Sequence, residues 1–219
     1  MLLAFPVFLL CLTVHEFAHA LMAKLGGDRT SEYLGRLTLN PVVHIDVIGT
    51  LILPVILLMV GLPPFGWAKP VPVNTLRLRK AVWMVYVALA GPASNLLLIL
   101  LTAFIMKVVI LVGVTPDFSF LRTGTITAGN VFWAICLWMV QVNAILAVFN
   151  MMPLPPLDGS RVVFHFIVRE NPKLWPLWMA LEGYLGIIVV YIAIQIPAIR
   201  ALILGAVEGI RVVVFSLVL

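Results

Sequence analysis

His15, Glu16 and His19 lie in the stretch LTVHEFAHAL (12–21), inside a run that otherwise has the composition of a membrane span. On a helix, residues four apart share one face, one turn apart. Two imidazoles therefore converge, and Glu16 projects beside them. H-E-x-x-H is the spacing that zinc hydrolysis uses: two histidines bind the metal, and the carboxylate takes a proton from water. Zinc lowers the pKa of a water it holds to about 7, so hydroxide is available at neutral pH. An ionisable group at the centre of a span costs roughly 2.5 kcal/mol or more unless it is partnered. Three together in one span point to a bound metal.

Two histidines leave a catalytic zinc site one protein ligand short. The remaining candidates are His44, Asp46, Asp158, His165, Glu182 and Glu208. Asp158 stands out because it lies in FNMMPLPPLDGSR, directly after an apolar run. There three prolines remove backbone donors and force an irregular turn, and Gly159 permits close backbone approach.

The elements that must position these groups are membrane helices. Of the 219 residues, 63% are hydrophobic and 11% charged, whereas soluble domains are about half apolar and a quarter charged. The chain reads as an all-α polytopic membrane protein of one domain, 1–219. A catalytic core occupies about 1–165, and C-terminal helices about 174–219. Five runs are long enough to span: 2–24, 81–113, 130–152, 174–197 and 199–219. A sixth, 47–62, is shorter and carries Pro54 at its centre. If it crossed, the basic residues would divide seven to five between the two sides. If it re-enters, ten of them, from Lys24 to Lys173, share one side against Arg122 and Arg200 (within-run Lys107 and Arg211 set aside). The positive-inside rule favours re-entry. It also brings the exit of 130–152, and so Asp158, to the side where His19 lies. The N-terminus is then outside and the site faces the cytosol. GWAKPVPVNTLRLRK (66–80) alternates and is punctuated by proline, which predicts a small membrane-associated β-hairpin or edge strand; SEYLGRLTLNP (31–41) reads the same way more weakly.

These residues resemble the site-2 protease family of intramembrane zinc metalloproteases. The matching stretches are HEFAH (15–19), LNPVVHIDVIGT (39–50), GWAKPVPVN (66–74), AGPASN (90–95) and NMMPLPPLDG (150–159). The subgroup it looks like is the compact prokaryotic one, with no PDZ or CBS module. The resemblance implies that one Zn2+ is bound by His15, His19 and Asp158, that Glu16 is the general base, and that Asn150 contacts substrate near the metal. It also implies peptide-bond hydrolysis in or near transmembrane helices of membrane-anchored proteins, in a prokaryotic cytoplasmic membrane. The departure is Val47, which stands where the pattern leads us to expect proline.

Other residues carry weaker expectations. His44 either contacts substrate or, with Asp46, ties its loop down. Asn95, Asn143 and Gln141 are interhelical hydrogen-bonding groups, and Asn95 is also a candidate for positioning substrate. Gly91-Pro92 allows close packing and a kink. Lys69, Pro70 and Val71 lie on the segment expected to capture an unwound substrate by strand addition. His165 is interfacial, and Glu208 pairs with Arg211. Trp67, Trp175 and Trp178 read as interfacial anchors, and Cys11 and Cys136 as buried free thiols. The expected partners are transmembrane protein substrates and lipid. The charge of +5 is not a nucleic-acid signal in a membrane protein, and no feature specifies an oligomer. The rival reading is a metal-ion transporter, since intramembrane His, Asp and Glu also build ion pathways. A transporter has no need of Glu16 as a base, and no inverted repeat is evident.

Overall fold

A computed structural model describes residues 4–62 and 65–219. Among the described residues, four helices are long and apolar enough to cross a membrane: α1 (Ala4–Leu25), α4 (Trp83–Leu111), α6 (Val131–Asn150) and α10 (Pro197–Val218). The 22 residues of α1 extend roughly 33 Å at 1.5 Å per residue, enough for a hydrocarbon core of about 30 Å. Shorter pieces lie between them: α2 (Thr30–Tyr33), α3 (Leu53–Met59), α5 (Phe120–Thr123), α7 (Asp158–Val163), α8 (Trp175–Leu181) and α9 (Tyr184–Ala193).

The centre is a bundle of α1, α4 and α6, with α10 along α4 and α6 and α7 against α4. One apolar cluster joins α4, α6 and α10 through Ile99, Met106, Trp133, Val140 and Val214. A second joins α1 to α6 through Cys11, Leu12, Val142 and Leu146. Small residues sit at the crossings: Ala20, Ala88, Gly91 and Ala144 are all buried. Helices in lipid associate by such close backbone approach, because burying apolar surface there offers little gain. Cys11 and Cys136 are buried free thiols.

Helix α1 stops at Gly26-Gly27. Gly27 has φ +108°, a conformation that disfavours a side chain. The Asp28 amide donates to Ala23 O (2.9 Å), closing the last turn. From here the chain makes a long excursion and comes back: the Arg79 amide donates to Gly26 O (2.8 Å) just before α4 begins. Within the excursion, a π-helical turn, Val47–Ile52, continues into α3, giving a 13-residue apolar helix, Val47–Met59. That is roughly 20 Å long, short of a full crossing.

Two expectations need correction. There is no β-hairpin among the described residues. Residues 66–74 are extended but unpaired, held by isolated bonds: Trp67 N–H to Gly49 O (3.2 Å), Lys69 N–H to His44 O (3.0 Å) and Thr50 Oγ1 to Trp67 O (2.9 Å). Pro70 and Pro72 remove alternate amide donors, and the neighbouring segment turns helical at Val47, leaving no strand to pair with. The segment lies so close to that turn that a Cβ on Gly66 would fall 2.1 Å from Gly49 O. Residues 31–41 contain the end of α2 followed by bends, not a strand. The run 174–197, read as one span, is broken instead. Helices α8 and α9 meet at 84°, because Gly183 adopts an extended conformation. Gly186 then lies so close to the end of α8 that a Cβ would overlap Leu181 O, at 1.8 Å.

Asp28 pins the extended segment to the end of α1. It is fully buried and accepts from Thr30 N (3.0 Å), Thr30 Oγ1 (2.5 Å) and Asn74 N (2.6 Å). Burial works against its charge, but the Thr30 hydroxyl, the amides of Asn74 and Thr30, and nearby Arg77 outweigh it and hold the carboxyl below its usual range. A carboxyl depressed in the folded state contributes stability above its unfolded value of about 3.9 and loses it as pH falls through the folded value. The anchor is therefore intact at neutral pH and released only in acid. Asp28→Ala is expected to weaken protection of the Asn74 amide by about 1–3 kcal/mol, read by hydrogen exchange at pH 7. Unchanged exchange there would show that the anchor is unimportant.

Candidate active site

The structure brings together His15 and His19 of α1 and Asp158 at the start of α7. His15 and His19 are buried, and Asp158 is largely so. Their facing atoms are close: His15 Nε2 to His19 Nε2, 3.0 Å; His15 Nε2 to Asp158 Oδ2, 3.1 Å; His19 Nε2 to Asp158 Oδ1, 3.3 Å.

The protons on the far sides of the rings decide what these contacts are. His19 Nδ1 lies 2.7 Å from Val87 O. A carbonyl only accepts, so the ring donates there, and in its neutral form Nε2 carries the lone pair. His15 Nδ1 lies 2.6 Å from Asn95 Oδ1, which likewise accepts from it. With both rings neutral, two nitrogen lone pairs and two carboxylate oxygens converge on one point. Asp158 Oδ2 is buried without a hydrogen bond. Acceptors at such distances repel one another unless a proton or a metal cation lies among them.

The donor set fits zinc. Two imidazoles and one carboxylate, with a fourth position left over, is the composition of a catalytic zinc site. At Zn–N and Zn–O lengths of 2.0–2.2 Å, ligands at tetrahedral corners lie about 3.3 Å apart, close to the separations seen. Gly91 of α4 leaves the room: a Cβ there would lie 2.4 Å from His19 Nε2 and 2.6 Å from His15 Nε2 and Cε1.

Residues 3–175 match the model of Peptidase family M50. The chain belongs to this family, the site-2 protease family. Three relatives are each named "Putative zinc metalloprotease". YwhC of Bacillus subtilis is 41% identical over 69% of this chain and 63% of its own. Rip2 of Mycolicibacterium smegmatis is 31% identical over 88% of this chain and 66% of its own. MJ0611 of Methanocaldococcus jannaschii is 30% identical over 45% and 41%. The chain thus spans less than two thirds of the length of these relatives. No solved structure matches it. Family membership implies Zn2+ as the metal.

Around His15, His19 and Asp158 lies a cleft of about 540 Å3. Glu16 lines it, and Glu16 Oε2 accepts from the Val71 amide (3.1 Å). Pro70 and Val71 also line the cleft, whereas Lys69 is exposed outside it. Asn150, half-buried at the end of α6, faces the cleft and donates to Leu146 O (3.0 Å). His44 is not among the lining residues. It is buried in its loop, with Nε2 3.0 Å from Thr38 O. Asp46 accepts from Gly49 N (2.7 Å), so both residues hold the loop. Asn95 is fully buried behind His15, one layer away from the cleft.

The broken span closes the far wall. Glu182 and Gly183, at the α8–α9 bend, line the cleft together with Arg161, one turn beyond Asp158 on α7. Arg161 pairs with Glu182, and Trp178 Nε1 donates to the same carboxylate (2.9 Å). Trp178, read as an interfacial anchor, is buried instead. Sequence reasoning overlooked the Val71–Glu16 bond, the Arg161–Glu182 pair and the contact of Gly91 with both metal-facing rings. Only Arg161 left a signal, in its i+3 spacing from Asp158.

Proposed function

We propose that this chain is an intramembrane zinc metalloendopeptidase that hydrolyses peptide bonds within or near the transmembrane helices of membrane-anchored proteins. The observation that carries the reading is the convergence of His15, His19 and Asp158 beside Glu16, in a cleft between apolar helices.

His15, His19 and Asp158 hold the metal. Zinc held there would supply Lewis acidity toward the scissile carbonyl and toward water. Glu16 takes the proton from that water and returns it to the leaving amine. The Val71 amide on Oε2 holds the carboxylate in place and leaves Oε1 for the proton. A substrate helix has its amides hydrogen-bonded internally, so it must unwind to present a bond. The extended segment at Pro70 and Val71, with Asn150 opposite, receives it. Replacing Lys69–Val73 by a flexible linker is expected to cut turnover at least tenfold while zinc stays bound; unchanged cleavage would remove this segment from substrate capture.

The topology we propose has five spans, with α8 and α9 as one broken span and 47–62 re-entrant. The return of Arg79 to Gly26 supports it, since a crossing by 47–62 would leave the chain on the opposite side. With the basic residues on the cytosolic side, the site opens toward the cytosol and the N-terminus lies outside. The decisive assay is cleavage of single-span reporter proteins in liposomes by the wild type, by Glu16→Gln, and by wild type with a chelator. Cleavage by untreated wild type alone is expected; cleavage surviving either treatment would overturn the mechanism.

A further inference from the structure

Behind His15 runs a chain of buried polar groups that crosses three helices. Asn95 of α4 accepts from His15 Nδ1 (2.6 Å), and its Nδ2 donates to Asn143 Oδ1 (2.7 Å). Asn143 of α6 donates through Nδ2 to Met139 O (2.8 Å), with Cys11 Sγ of α1 3.1 Å from the same nitrogen. Asn95 and Asn143 are both wholly inaccessible.

Direction in this chain is set at its far end. The Met139 carbonyl only accepts, so the Asn143 amide nitrogen must face it. The Asn143 oxygen is then turned toward Asn95, whose nitrogen must meet it. The Asn95 oxygen is left facing His15, and that ring must carry its proton on Nδ1. In the neutral ring Nε2 is then the nitrogen with the lone pair, and it is the one facing His19 and Asp158. Reversing either amide would set two acceptors or two donors against each other at under 3 Å in a dry interior, where an unmade bond is costly.

We propose that Asn95, with Asn143 behind it, is a positioning relay that locks His15 in its metal-binding tautomer and sets the affinity of the site. This rests on the metal-site reading above. It gives Asn95 a role distinct from substrate contact, and it gives the Asn95–Asn143 pair one beyond helix association. Asn95 touches neither the cleft nor the reacting atoms, so it acts only through His15.

The test uses the full chain in detergent micelles. Zinc affinity is measured by competition with a chromophoric chelator for the wild type, Asn95→Leu, Asn95→Asp and Asn143→Leu. The tautomer of His15 is read separately from histidine 15N shifts in the metal-free protein. Removing a hydrogen-bond partner of a metal-binding histidine costs about 10- to 100-fold in affinity, and that loss is expected for Asn95→Leu. Asn143→Leu, which frees the Asn95 amide to turn, is expected to lose less. Asn95→Asp keeps an acceptor at His15 and, as the neutral acid, a donor to Asn143, so it stays within a few-fold of wild type. In the shifts, His15 is expected to be Nδ1-protonated in wild type and mixed in Asn95→Leu. Unchanged affinity and shifts in Asn95→Leu would overturn the relay. So would equal losses in Asn95→Leu and Asn95→Asp at unchanged unfolding midpoints, which would assign Asn95 to packing. If Asn95→Leu does not fold, Asn143→Leu carries the same two readouts. Wild type that binds no zinc would overturn the metal-site reading, while the shifts would still decide the tautomer.

Discussion

Alanine at Gly91 is expected to abolish zinc binding, and proteolysis with it, while the helices stay folded. The added methyl would lie 2.4 Å from His19 Nε2 and 2.6 Å from His15 Nε2, well inside contact distance and on the atoms proposed to hold the metal. Neither ring is free to retreat. His19 is tied through Nδ1 to Val87 O and His15 to Asn95. The backbone of α4 cannot retreat cheaply either, because this helix packs on α1 and α6 together. Disturbing groups behind a ligand costs 10- to 100-fold in affinity, so displacing two ligands should exceed about 100-fold. Chelator competition gives the number. Gly209→Ala is the control: it lies on α10 with nothing within 4 Å of the new methyl, and it should leave both zinc and stability in place or add about 0.5–1 kcal/mol. Normal zinc affinity in Gly91→Ala would mean that the rings do not sit against α4 as described.

Glu16→Gln should have the opposite profile, with zinc retained and turnover lost. Glutamine has the same shape, and its oxygen can still accept from the Val71 amide, so the local packing is preserved. It cannot take a proton from water. General acid–base catalysis contributes about 10²–10⁴ in rate, and the loss should fall in or above that range. Reporter cleavage in liposomes gives the rate, and chelator competition the zinc. A variant that kept more than a tenth of the wild-type rate would remove Glu16 as the base. A variant that lost zinc as well would make Glu16 part of the metal site. Together, Gly91→Ala and Glu16→Gln separate holding the metal from using it.

Much of this was legible in the residues. The spacing of His15, Glu16 and His19 is a property of any helix, so one face could be read without knowing the neighbours. The proline-rich turn before Asp158 marked it as the group most able to point back at the membrane, and the structure does bring it to the two histidines. Charge asymmetry, a bilayer-wide effect, put the two halves of the site on one side. What stayed hidden depends on partners far away in sequence. Residues 66–74 alternate like a strand, but a strand needs a neighbour, and the neighbouring loop turns helical. The run 174–197 is apolar apart from Glu182 and Gln195, and hydropathy does not register the break at Gly183. Asn95 and Asn143 were each recognisable as polar groups between helices. Which atoms they meet depends on how α1, α4 and α6 are rotated about their axes, and no local pattern encodes that.

The three residues proposed to hold the metal come from two stretches far apart in sequence. His15 and His19 leave the ribosome early, and Asp158 follows 139 residues after His19. At synthesis rates of about 5–20 residues per second, an interval of roughly 7–30 s separates them. During it α4 and α6 are synthesised, and the two histidines have each other and Glu16 but not Asp158. On the mechanism proposed above, hydrolysis would have to wait until α6 has been made and the turn after it has folded back onto α1. Activity would thereby be tied to completed assembly of the bundle.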